Sequence, residues 1–169
     1  MLSFALVYAG RFDGTRFEAP ARYTTAFEAD LRPMSERFQP EALAVNRLDR
    51  AALVKNGQDP ASAMALAANW VEQHSAGGTP ILVAYPLSFD WTWLYWYFMR
   101  FLDRSPFNHS RCFDLKTAIA VRGHRTVSTS GHDQLPSALR SSYHHTHRAL
   151  EDAIEQADML AKLFAWDGT

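Results

Sequence analysis

The sequence predicts an α/β fold: a mixed sheet that starts antiparallel, gains parallel crossovers later, and is flanked by helices. Three observations lead there. Two β-type runs, residues 2–9 and 22–31, stand on either side of an Asp13-Gly14 turn signal and read as an antiparallel pair with a long connection. Residues 80–85 (PILVAY) form a continuous apolar run, the mark of a strand buried on both faces. Helical segments separate that run from the others, and alternation of strand and helix implies parallel crossovers.

The remaining elements follow in order. Pro33 closes the opening strand pair, and Pro40-Glu41 starts a short helix. Asp49 is placed to cap a second helix. Asp59 caps a third, Pro60 occupies its first turn, Met64, Ala67, Ala68 and Val71 supply its apolar stripe, and Gly77-Gly78 stops it. Residues 88–104 form a helix rich in aromatics, among them Trp91, Trp93 and Trp96. Residues 111–115 make a short strand, and residues 130–142 are polar and irregular. The last helix spans about residues 147–164, with Leu150, Ala153, Ile154, Ala157, Leu160 and Ala161 on its inner face.

At 169 residues the chain has the length of one domain. Its 47% hydrophobic and 21% charged residues describe an ordinary globular protein. A formal charge of −1 gives no global attraction to nucleic acid, so phosphate binding has to come from a local arrangement such as metal ions. Cys112 is the single cysteine, which excludes an internal disulfide and a thiolate cluster. The apolar runs are too short to span a membrane. The first ten residues have no basic stretch before them, so a signal peptide is not expected and the cytoplasm is the expected location.

Two segments carry chemistry. Asp90 falls in the first turn of the aromatic helix, just past the carboxyl end of the buried 80–85 strand, where α/β sheets keep their ligands. A helix start also favours a carboxylate, so Asp90 in isolation could equally serve as a first-turn residue satisfying backbone donors. His147 and Asp152 lie five residues apart at the start of the last helix. An imidazole to take a proton from water and a carboxylate to hold a metal are what metal-assisted phosphodiester hydrolysis needs.

With these segments on view, the chain resembles the DEDDh-type 3′→5′ exonucleases, the family of proofreading exonucleases, ribonuclease T and oligoribonuclease. The string from His147 to Ala153 (HRALEDA), followed by Gln156-Ala157 and Leu160, resembles the third family motif. Ser88-Phe89-Asp90 with Leu94 resembles the second, and Phe113-Asp114-Leu115-Lys116-Thr117 the stretch between them. Residues 38–46 resemble an earlier family segment, with Arg47 where glycine is usual. The resemblance implies a ribonuclease H-like mixed sheet and residues 1–169 as one exonuclease-like domain. It implies two Mg²⁺ or Mn²⁺ ions in a complete site, with Asp90 and Asp152 as metal ligands and His147 as the base that activates water. It further implies the 3′ end of single-stranded DNA or RNA as partner, no membrane, and homodimers as in some family members. His144 and His145 are the rivals of His147; the five-residue spacing to Asp152 selects His147 and leaves the other two in the loop, facing phosphate or solvent. Asp114 is expected to cap a helix. Most of the aromatic helix is expected in the core, with Trp91 or Trp93 left as a base-stacking candidate.

The first family motif, D-x-E on the central strand, has no match here. Glu28 and Asp30 form the only similar pair, and they fall on the outer strand. Either residues 2–9 are the family's second strand and the domain is N-terminally incomplete, or they are the first strand, with Ala5 and Val7 in place of the carboxylates. The distance to Asp13-Gly14 favours the former. The expected structure then has residues 2–9 paired on one side only and a gap beside residues 80–85. The alternative function is a catalytically inactive nucleic-acid-binding or interaction domain derived from such an enzyme.

Overall fold

Antiparallel pairing of Ser3–Val7 (β1) with Ala26–Asp30 (β4) opens the fold, in the register Ser3 to Asp30 and Val7 to Ala26. Phe4, Leu6 and Ala29 turn to the interior, while Glu28 and Asp30 are exposed. The architecture comes from a computed structural model that describes residues 1–168. The connection between the two strands is itself structured: Arg11–Phe12 (β2) and Phe17–Glu18 (β3) form a small hairpin. Its turn is held by Asp13, whose Oδ1 accepts from the backbone N–H groups of Thr15 and Arg16. The Asp13-Gly14 turn therefore closes this inner hairpin rather than the β1–β4 pair.

Three helices follow. Pro40–Asn46 (α1) starts on its proline. Arg50–Asn56 (α2) is capped by Asp49, which accepts from Ala52 N–H at 3.0 Å. Pro60–His74 (α3) is capped by Asp59 through Ser62 N–H at 3.0 Å, and it buries Met64, Ala67, Ala68 and Val71. Ala76 and Gly77 take positive φ after its end, the conformation that stops a helix.

Leu82–Ala84 (β5) pairs in parallel with Cys112–Asp114 (β6), joined by the helix Leu87–Leu102 (α4). Asp114 is the structural residue expected. Its Oδ1 accepts from Thr117 N–H at 2.6 Å and caps Leu115–Arg122 (α5), and its Oδ2 accepts from Leu87 N–H at 2.7 Å, fixing the start of α4. Residues 130–142 depart from the expected loose stretch. They belong to a segment of three short 3₁₀ turns that is exposed along much of its length but buries Ser130, Leu135 and Leu139. The last helix, Ala149–Ala165 (α6), buries Glu155, Ala157, Met159, Leu160 and Leu163. Its buried face is rotated from the expected one, toward Met159 and Leu163, which join Leu139, Ile119 and Trp166 in a second core. Leu150, Ala153, Ile154 and Ala161 are only half-buried.

The sheet is in separate pieces. β1 pairs with β4, β5 pairs with β6, and no ladder joins β1 to β5 among the described residues. Between them lies a cleft of about 1850 Å³ lined by β1 and by residues 79–86. α6 packs over β1 and supplies Asp152, Ala153, Gln156 and Ala157 to the cleft wall. The mixed α/β class expected from the sequence is present, and so is the gap beside residues 80–85. Among the described residues, no helix is long and apolar enough to cross a membrane.

Candidate active site

Asp90 is the fourth residue of α4, beyond the carboxyl end of β5. Asp152 is in the first turn of α6. Two side-chain ties bring these helix starts to one place. Asp114 holds Leu87 N–H as described, and Gln156 Oε1 accepts from Tyr85 N–H at 3.1 Å, which docks α6 against the end of β5. Both aspartates line the cleft. They are near enough to sense each other: burial first, and the charge of Asp152 with it, push the Asp90 carboxyl up to about 6.

Asp152 organises the loop before α6. Its Oδ1 accepts from Thr146 N–H at 3.0 Å and His147 N–H at 3.1 Å, and it lies 3.1 Å from His145 Nδ1. All three contacts fall on one oxygen, which leaves Oδ2 available to a ligand. His147 pays for this turn with a positive φ of 64°, a left-handed conformation that costs a non-glycine residue about 1–3 kcal/mol. Its ring packs edge-on against His145, with centroids 4.4 Å apart. His145, His147 and Asp152 each present a ligand atom within 4.8 Å of the others. His147 stands beside the cleft and is exposed, rather than forming part of the wall.

His145 lies in the loop and is exposed, as expected, and it makes a further contact: its Nδ1 is 2.8 Å from Glu155 Oε2 as well as near Asp152. His132 stands on the other side of Glu155, and burial holds its imidazole below the usual value. Glu155 and His132 were not found from sequence. The legible signal was Glu155 three residues after Asp152, which places both on one face of α6. His144 is exposed, and Glu28 and Asp30 do not line the cleft. Trp91 stacks on Tyr95 at 4.7 Å and packs against the core cluster that holds Phe4, Met64 and Phe98, whereas Trp93 is 42% exposed and lines the cleft.

The chain is 28% identical over 134 residues to the 3'-5' DNA exonuclease Cap18 of Escherichia coli, a match covering 79% of this chain and 71% of that protein. That likeness supports an exonuclease family. No family model matches the chain.

The donor chemistry fits a divalent cation. Two carboxylates face a common cleft, and among the described residues neither forms an ion pair with a lysine or arginine. A half-buried carboxyl in such a place has a consequence in the metal-free chain. With its folded-state value raised from 3.8 to about 6, Asp90 holds its proton more tightly folded than unfolded. The stability this lends is full below 3.8 and is lost as pH rises through about 6. At about 1.4 kcal/mol per unit the loss is on the order of 3 kcal/mol. Asp90→Asn is expected to abolish it, so thermal melting without metal should show the variant more stable than the parent above about pH 6. Equal melting temperatures across that range would contradict the burial of this charge.

Proposed function

We propose that this chain is the scaffold of a divalent-metal-dependent 3′→5′ exonuclease acting on single-stranded DNA, with a ribonuclease H-like sheet as its frame. The observation that carries the reading is the meeting of Asp90 and Asp152 at one cleft from separate helix starts. DNA is chosen over RNA on the name of the Escherichia coli relative.

In this reading Asp90 and Asp152 are metal ligands. Bound Mg²⁺ or Mn²⁺ supplies charge stabilisation to the attacking and leaving oxygens of the phosphodiester. His147 takes the proton from the attacking water, its backbone pinned by Asp152 so that the ring stays beside the cleft. His145, drawn toward Glu155, keeps Asp152 Oδ1 engaged and leaves Oδ2 for the metal.

Two carboxylates hold ions less well than four. Among the described residues no ladder joins β1 to β5 across the cleft, and a further strand between these two edges is part of the proposal. Its cleft-facing residues would meet Asp90 and Asp152, so a D-x-E pair there completes the ligand set. The volume of the cleft, about 1850 Å³, favours this arrangement over β1 as the central strand with lost carboxylates.

Trp93, exposed on the cleft wall beside the 65% exposed Phe89, is the proposed platform for a terminal base. Trp93→Ala is expected to weaken single-strand binding by about 1–3 kcal/mol while leaving metal binding intact. Fluorescence anisotropy with a labelled oligonucleotide and Ca²⁺ in place of Mg²⁺ measures it, and unchanged affinity would remove Trp93 from the interface. Polarity tests the function itself. A 5′-labelled oligonucleotide should yield a descending ladder and a 3′-labelled one should release label at once; the reverse pattern overturns the proposal.

A further inference from the structure

A second donor cluster lies behind the carboxylate pair, where the segment after α5 meets α6. Glu155 is only 6% exposed, and its two oxygens face two imidazoles. Oε1 lies 3.6 Å from His132 Nδ1, and Oε2 lies 2.8 Å from His145 Nδ1. The two rings are 4.6 Å apart between centroids. One ligand atom from each of the three residues lies within 4.8 Å of the other two. Among the described residues Glu155 forms no ion pair with a lysine or arginine.

A buried carboxylate without a fixed positive partner carries a desolvation penalty, which hydrogen bonds from imidazoles only partly offset. A bound metal ion supplies the missing positive charge. The donor type then decides which metal. Two imidazole nitrogens and one carboxylate oxygen suit zinc and its neighbours, whereas Mg²⁺ prefers an all-oxygen shell. Three protein ligands with an open fourth position is also a recurrent zinc arrangement.

We propose that His132, His145 and Glu155 bind one divalent transition-metal ion of the zinc class, at a site distinct in chemistry from the Asp90–Asp152 pair. His132 sits in a 3₁₀ turn, His145 precedes α6, and Glu155 lies on its buried face, so the ion ties the segment between α5 and α6 to the helix. The site does not depend on the exonuclease reading. It does adjoin that centre, because His145 Nδ1 also lies 3.1 Å from Asp152 Oδ1.

The test is calorimetric titration of tag-free protein with ZnCl₂ in excess Mg²⁺, paired with thermal melting. One Zn²⁺ per chain is expected, with a raised melting temperature that Mg²⁺ alone does not give. His132→Ala and Glu155→Gln should each weaken zinc affinity about tenfold or more, while Asp90→Asn should leave it unchanged. His132 is partly exposed, so its variant decides the matter if Glu155→Gln fails to fold, with circular dichroism confirming the fold. Absence of zinc binding by the parent overturns the proposal. So does affinity unaltered in His132→Ala, or affinity lost in Asp90→Asn, which would move the ion to the carboxylate pair.

Discussion

Asp152→Asn, in a version of the chain with a complete carboxylate set, is expected to lower nuclease activity by at least about 100-fold, beyond the usual cost of altering a supporting group at a metal site. Two losses coincide. The charge that faces Asp90 across the cleft disappears, and with it the proposed metal ligand. The oxygen that accepts from Thr146 and His147 becomes an uncharged amide oxygen, which weakens the charge-assisted bonds holding that turn. Higher Mn²⁺ should restore part of the first loss and none of the second. Steady-state rates across a Mn²⁺ titration measure both, and activity near the parent level at every concentration would remove Asp152 from the metal centre.

His147→Ala, in the same active background, is expected to cost about 100-fold or more in rate with little change in metal affinity, the usual scale for a general base. The backbone argument sharpens the test. Because His147 N–H rather than its ring anchors the turn to Asp152, alanine keeps that contact while removing the imidazole. His144→Ala should cost far less, since among the described residues Asp152 is bonded by the backbone of Thr146 and His147 and not by His144. His145→Ala should fall between the two, acting through Asp152 and Glu155. A loss from His144→Ala equal to that from His147→Ala would show that the wrong imidazole had been assigned as base.

Local signals carried much of the fold. Asp49, Asp59 and Asp114 cap helices as their sequence contexts indicate, because an N-cap is a contact between residues three apart and needs no knowledge of the rest of the chain. The strand at Leu82–Ala84 and the helix after it were legible for the same reason. What escaped was set by tertiary packing. The Asp13-Gly14 turn was visible, but which strands it joined depended on where Phe17 packs, stacked 4.5 Å from Phe164 on α6. The buried face of α6 turned toward Met159 and Leu163 because the segment carrying Leu135 and Leu139 folds back over it. That segment looked polar in sequence, since its few apolar residues are spaced by 3₁₀ turns and show no regular period.

The candidate site divides along the same line. Asp90, His147 and Asp152 stood out in the sequence because each lies at or just before a helix start with a recognisable flank. Glu155 and His132 did not, because a buried glutamate on a helix gains meaning only when a distant imidazole is folded against it. His145 was placed in the loop, facing phosphate or solvent; it is exposed there, and only its contact with Glu155 went unread.

The split sheet leaves the cleft between β1 and β5, and no D-x-E pair is among the described residues that line it. The rate of 5′-labelled single-stranded DNA shortening with Mn²⁺, for residues 1–169 and for a version with a D-x-E-bearing strand added ahead of β1, tests the proposal of a further strand in that cleft. Weak activity is expected from residues 1–169, activity at least about 100-fold higher once a carboxylate-bearing strand occupies the cleft, and loss of both with Asp152→Asn. Full activity from residues 1–169 alone would contradict it, and would require other ligands beside Asp90 and Asp152.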